Sequence, residues 1–311
     1  MITIQILVRN DENTIRAALE SLGSLDARIV VGDLGSRDGT LSICRSFGAD
    51  VVKPRWDNDY SKIRNELASD GLNMYLDPWE VLAKGHELIA GIEANSAVYV
   101  VRNGMVSKEI RLWAGSSFVN PVYETIVDKD AQCFPGIAVI GGPGPDLREE
   151  RSRIVADWMQ RNPTSPEPYY YTAISRLENR KYEDFCAFAR QYLAMEKNAG
   201  ATAVMLYYHI AQIELHTGDL GSAVNQLLRC LSLHPDMAEF WCLLGDMLYK
   251  VQKYENAAAM YENAMILGKR RRGDDPYPVD VAKYGVYPSK MIQNIKNLLD
   301  DTGLIISKSD A

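Results

Sequence analysis

The residues best placed for chemistry are carboxylates at the ends of short apolar runs. Val30-Val31-Gly32-Asp33-Leu34-Gly35-Ser36-Arg37-Asp38-Gly39-Thr40 reads as a strand that delivers a carboxylate. Two glycines permit tight turning, and Asp38 to Thr40 can cap the next helix. Asp33 at that point suits hydrogen bonding to a nucleobase or a ribose; a plain strand-to-helix turn is the simpler alternative. The run Ile2–Val8 ends just before Asn10 and Asp11, and Leu72–Leu76 ends at Asp77.

These positions require a particular scaffold. Residues 2–8, 28–32, 49–53 and 72–76 read as strands, and 13–22, 40–47 and 59–69 as helices. Strands separated by helices of that length imply right-handed crossovers and a mainly parallel sheet. In such sheets ligands collect at the carboxyl ends of the strands, where Asp33 and Asp77 stand.

Beyond Asp146 strand signals vanish, and Gly141-Gly142-Pro143-Gly144-Pro145 looks like a boundary loop. The organisation expected is an α/β domain over 1–145 and a helical domain over 146–311. Part of the helical half repeats. Trp241, Leu244, Gly245, Leu248, Tyr254, Ala257, Tyr261 and Ala264 fit the tetratricopeptide pattern. A shift of 34 residues sets Leu220, Ala223, Leu227 and Cys230 under the last four. A fainter copy begins at Pro168, with the offset absorbed over 197–201, so repeats are expected over about 166–267.

Composition narrows the class. The chain has 311 residues, 47% hydrophobic and 24% charged, and a net charge of −7, so it advertises no overall basic surface for nucleic acid or anionic lipid. Five cysteines (Cys44, Cys133, Cys186, Cys230, Cys242) form no C-x-x-C pair and read as buried thiols. Ile2–Val8 is too short for a secretory apolar segment, and no run of 18 apolar residues occurs. A cytoplasmic protein without membrane insertion is the expectation.

In order along the chain, the motifs resemble family-two glycosyltransferases of GT-A fold, above all the branch fused to tetratricopeptide helices. Val8-Arg9-Asn10-Asp11-Glu12 matches that family's first-strand Val-Lys-Asn-Glu, and Asp33 to Thr40 matches Asp-x-Gly-Ser-x-Asp-Gly-Thr. Trp56-Asp57-Asn58-Asp59-Tyr60-Ser61 with Arg64-Asn65 matches Trp-Asp-x-Asp-Phe-Ser-x-x-Arg-Asn. Arg111-Leu112, Val122-Tyr123-Glu124 and a Tyr-x-x-x-Pro segment near Tyr284–Met291 continue the resemblance. It implies a nucleotide-sugar donor held by Asn10, Asp11 and Asp33 at base and ribose. Arg64 would lie on the diphosphate, because a guanidinium makes forked bonds to phosphate oxygens.

Two departures stand out. The family's Leu-Asp-Ala-Asp-Glu is here Leu76-Asp77-Pro78-Trp79-Glu80, and its Val-His-Glu is Val122-Tyr123-Glu124. Trp79 and Tyr123 thus stand where metal ligands are implied; indole is no ligand and phenol a poor one for Mg²⁺ or Mn²⁺. The expectation is donor binding without a divalent metal, with Trp79 stacking on the donor or closing the cleft. Asp77 and Glu80 are the ligands if an ion binds. Positive charge would then come from Arg9, Arg64, Arg102 or Arg111, or from Lys269 to Arg272, and Tyr284 and Tyr287 would add hydroxyl donors. Glu124 is the candidate base for an inverting transfer, Asp77 a second catalytic candidate, and Asp128 a weaker one.

The resemblance therefore implies a glycosyltransferase. Its acceptor (peptide, protein, glycan or nucleic acid) is not specified, and the acceptor side is completed by helices, by Tyr284–Met291, or by a second subunit in a homo-oligomer. The alternative is a non-catalytic descendant of the fold acting as a binding or scaffold protein through its repeats. A nucleic-acid-modifying transferase is the third reading. The four histidines show no metal-ligand clustering, and no Gly-x-Ser-x-Gly elbow is present.

Overall fold

The computed structural model describes residues 1–128, 130–196, 200–271 and 275–301. The chain divides into two compact units, Met1–Met195 and Glu196–Ala311. The change from strands to helices falls near residue 145, whereas the units divide fifty residues later, because three helices belong with the sheet.

The first unit opens with β1 (Ile2–Val8), buried along its whole length as a central strand must be. It continues through α1 (Ile15–Ser21), β2 (Ala27–Asp33), α2 (Thr40–Ser46), β3 (Asp50–Val52), α3 (Tyr60–Glu66) and β4 (Asn73–Leu76). Then come β5 (Glu80–Lys84), α4 (His86–Ile89), β6 (Ser96–Arg102), β7 (Met105–Trp113), β8 (Phe118–Val119), β9 (Thr125–Ile126) and β10 (Gln132–Gly141). Helices α5 (Arg148–Arg161), α6 (Glu167–Glu178) and α7 (Tyr182–Met195) complete it.

The main sheet runs β3-β2-β1-β4-β7-β6-β10-β5. Its first half is parallel as expected, with Ile6 opposite both Val31 and Leu76. The second half is mixed: β7 is antiparallel to both β4 and β6, and β5 to β10. The cause is a two-residue hairpin at Asn103-Gly104, both with positive φ (50° and 78°), which returns the chain without a crossover. β1 to β4 are thus wholly parallel to one another, and of the later strands β6 and β10 also pair in parallel. The core packs Ile4, Ile6, Ile15, Leu19, Met74, Val98, Leu112 and Val139 together.

The second unit contains α8 (Gly200–Thr217), α9 (Leu220–Leu233), α10 (Ala238–Lys250), α11 (Tyr254–Leu267) and α12 (Val286–Asp301). The helices pack around two clusters, one centred on Tyr208, Leu227 and Phe240 and the other on Cys242, Tyr261 and Ile295. Gly245 is required for close packing, since a Cβ there would stand 2.7 Å from the Tyr261 ring. The faint first repeat corresponds to α6 and α7, which lie in the first unit; residues 197–199 of the expected offset are outside the described residues.

Candidate functional site

Arg64 is the centre of the site. Asp59 starts α3 by accepting from the Lys62 amide at 3.2 Å, and the helix then carries Arg64 into the sheet's carboxyl edge with only 2% exposure. Its Nε donates to Glu124 Oε1 at 3.2 Å and its Nη2 to Asp77 Oδ1 at 3.1 Å. The guanidinium lies over Tyr75, 4.4 Å from the ring centroid. Its Nη1 is buried with no hydrogen-bond partner. A buried cationic donor left unsatisfied is costly, so this atom is the site's unmet demand for an acceptor.

Asp77 sits at the end of β4, a quarter of its side chain exposed. Burial, and then the neighbouring charge of Glu80, push its carboxyl up to about 6 against the opposing pull of Arg64 and Arg111. Glu80 is wholly buried and takes a fork from Arg111, Nη1 to Oε2 at 2.7 Å and Nη2 to Oε1 at 2.9 Å. Burial alone would raise the Glu80 carboxyl, but Arg111 and Arg102 outweigh it and hold it below the usual carboxylate range. Arg102 and Arg111 both also bind Glu109.

A cleft of about 1100 Å³ opens over this network, lined by Arg9, Asp11, Arg64, Asp77, Trp79, Tyr123 and Glu124 among others. Arg9 reaches it with its guanidinium over Trp56, at 5.2 Å, and bound to Glu150 Oε2 at 2.6 Å. Trp79 forms one wall beneath the loop 142–145. The Gly142 amide donates to the Trp79 carbonyl at 2.8 Å, and a Cβ on Gly144 would meet the indole at 2.6 Å. Tyr123 adopts φ 53°, a left-handed conformation that costs energy for a side chain of this size. It is held there by a bond to Glu178 Oε2 at 2.6 Å, by stacking on Tyr171 at 5.4 Å, and by Arg151 over its ring at 5.0 Å.

Several expected site residues are placed elsewhere. Asn10 and Asp33 do not line the cleft. Asn10 has φ 61°, receives the Arg37 amide at 2.8 Å, and donates its own amide to Ser36 Oγ at 3.2 Å. Asp33 Oδ1 accepts the amides of Gly35 and Ser36 at 3.1 and 2.7 Å. Both side chains therefore shape the loop 33–40. Asp11 does line the cleft; burial raises its carboxyl, although the Arg9 amide donates to it. Arg111, expected at a phosphate or acceptor, is spent on Glu80 and Glu109. Asp128 accepts from Asn95 Nδ2 at 2.7 Å and does not reach Arg64's cleft.

Lys269, Arg271, Tyr284 and Tyr287 belong to the second unit. Lys269 is exposed there, and Arg272 is outside the described residues. Arg271 is buried on Asp275 and Glu239; Tyr284 donates to Glu239 and Tyr287 to Asp246. Arg271, Tyr284 and Tyr287 therefore have structural partners already.

The residues at the implied metal position do not fit a divalent ion. Glu80 is consumed by two arginines, Asp77 faces the cation of Arg64, and Trp79 offers no ligand atom. Among the described residues no three His, Cys, Asp or Glu side chains gather as an ion would need. The five cysteines are free thiols.

Sequence reasoning missed Tyr75, Arg151 and Glu178. Tyr75 was legible as a half-buried strand position; Arg151 and Glu178 lie on α5 and α6, whose return to the sheet no spacing in the sequence encodes.

Comparison with known proteins adds one firm point, because the tetratricopeptide repeat family matches residues 206–237 and 238–265. The second unit carries tetratricopeptide repeats. The matched stretches cover most of α8 and α9 and then α10 and α11. Among solved structures the chain is similar to MamA from Desulfovibrio magneticus RS-1 (residues 41 to the end), at 17% identity over 53% of this chain and 89% of that one, with a TM-score of 0.38. It is also similar to another MamA crystal structure, at 11% identity over 50% and 91%, with a TM-score of 0.36. No curated protein matches the chain significantly. No helix among the described residues is long and apolar enough to cross a membrane.

Proposed function

We propose that this chain is a binding protein: its α/β unit holds the diphosphate of a nucleotide or nucleotide sugar under Arg64, and its tetratricopeptide repeats engage a partner. The observation that carries the first half is the unpartnered Nη1 of Arg64 in a cleft at the carboxyl ends of parallel strands. A phosphate oxygen there would satisfy it with a charge-assisted bond. The repeats support the second half, since stacked helix pairs present extended surfaces for binding.

A second reading is glycosyl transfer from that nucleotide sugar, as the family resemblance implies. It is favoured by the two carboxylates, Asp77 and Glu124, that flank Arg64 in the same cleft. Glu124 would take the acceptor's proton as it attacks the sugar carbon, and Arg64 would stabilise the departing diphosphate. Against it, both carboxylates are bound to Arg64, and a base paired with a guanidinium is a weaker proton acceptor.

The test is a thermal-shift screen of nucleoside diphosphates and nucleotide sugars, with and without Mn²⁺, because a native-state ligand raises Tm by mass action. Hits are then assayed for sugar release onto water or a panel of acceptors. A Tm rise with no sugar release supports the binding protein; turnover supports the transferase; no rise with any donor defeats both.

A further inference from the structure

β1 alternates between two apolar layers. Ile2, Ile4, Ile6 and Val8 join the main core, while Leu7, on the opposite face, packs with Ile63 and Leu67 in and just after α3. Gln5 shares that second face and is fully buried, where an amide is costly unless its polar atoms are paired. Its Nε2 donates to the main-chain carbonyl of Arg64 at 3.0 Å, but its Oε1 finds no hydrogen-bond partner among the described residues.

The Arg64 carbonyl needs that donor. It lies in the last turn of α3, where carbonyls run out of helical partners. The Ala68 amide, which would reach it in a longer helix, goes instead to the Asn65 carbonyl at 3.3 Å. Gln5 also stands opposite Tyr75 in the pairing of β1 with β4. The Tyr75 ring is the one stacked on the Arg64 guanidinium, at 4.4 Å. A single rung of the sheet therefore holds both ends of Arg64, the carbonyl through Gln5 and the guanidinium through Tyr75. Packing alone is poorly served by Gln5, because the residue leaves its own oxygen unsatisfied.

We propose that Gln5 is the positioning residue of the phosphate site. By capping the Arg64 carbonyl it sets how far the guanidinium reaches between Asp77 and Glu124, and so where Nη1 meets a phosphate oxygen. The phosphate in that statement rests on the reading of the cleft as a diphosphate site; the placement of the guanidinium does not.

The experiment follows the Arg64 Nε–H in proton–nitrogen correlation spectra of the full chain, where the signal is identified by its loss in Arg64→Lys. Gln5→Met keeps the side-chain length and removes the donor. It trades one unsatisfied oxygen for another, so Tm changes little, yet the Arg64 Nε signal moves and its proton exchanges with water about fivefold faster or more. Gln5→Glu, whose buried carboxyl stays protonated and can donate, restores both. Any nucleoside diphosphate that the unmodified chain binds is held about fivefold more weakly or worse by Gln5→Met, and normally by Gln5→Glu. A folded Gln5→Met with an unchanged Arg64 Nε signal or an unchanged diphosphate affinity overturns the proposal, as does a folded Gln5→Glu that behaves like Gln5→Met. Absence of diphosphate binding by the unmodified chain defeats the reading of the cleft, and the Nε signal still decides the role of Gln5. Should Gln5→Met not fold, hydrogen exchange on the unmodified chain decides. Release of the Gln5 side-chain amide protons and the Arg64 Nε proton in one shared opening supports positioning; release in separate openings overturns it.

Discussion

Arg64 Nη2 donates to Asp77 Oδ1 at 3.1 Å, and this pair joins the first α/β helix-strand repeats to the cleft floor. Asp77 is the less comfortable partner. Burial and Glu80 raise its carboxyl to about 6, and Arg64, Arg111 and Glu124 also face it. A folded-state pKa above the unfolded value of about 3.9 means that the charged form is disfavoured by folding. The group's contribution to stability is fully present below pH 4 and is lost as pH rises toward 6. Urea melts of Asp77→Asn and the unmodified chain should therefore differ with pH. The variant gains by about 1–3 kcal/mol relative to the unmodified chain between pH 4 and 7. A constant difference across that range would mean that Asp77 titrates normally.

The elements beneath this pair were readable before the structure. β1 to β4 and the helices between them follow from apolar runs of strand length and helical spacing, both local signals. Arg64, Asp77 and Glu124 come together in one cleft. Asn10 and Asp33 hold the loop 33–40 rather than line the cleft, for a physical reason: short polar side chains beside a tight turn satisfy its amides first, and a motif does not record that competition. The hairpin at Asn103-Gly104 had a clear signal in its turn residues. The destination of Arg271 and Tyr284 depended on a buried partner, Glu239, that no local spacing reveals.

Glu80 holds the second network together, so its loss should be felt as stability. Glu80→Gln removes the fork on Arg111 and leaves a fully buried guanidinium with Glu109 as its remaining carboxylate. The expected loss is about 3–5 kcal/mol in denaturant melts. Loss below about 1 kcal/mol would show that Arg111 is adequately served by Glu109.

Gly144 and Trp79 should be coupled. A methyl at 144 would stand 2.6–2.9 Å from three indole atoms, so Gly144→Ala should cost about 1–3 kcal/mol by overpacking. Trp79→Leu removes the obstructing ring, and the glycine substitution in that background should cost less than half as much. A double-mutant cycle with no interaction energy would mean that loop 142–145 does not rest on the indole.

The central claim is that the cleft binds a diphosphate through Arg64. Isothermal titration of the full chain with uridine, guanosine, cytidine and thymidine diphosphates, in EDTA, tests it most directly. The account predicts saturable binding of at least one, weakened about tenfold or more by Arg64→Lys, which keeps the charge but loses the planar fork. Arg64→Lys must first be shown to melt like the unmodified chain, so that lost binding is not lost folding. Binding of none of these diphosphates by the folded, unmodified chain, or equal binding by Arg64→Lys, would contradict the account.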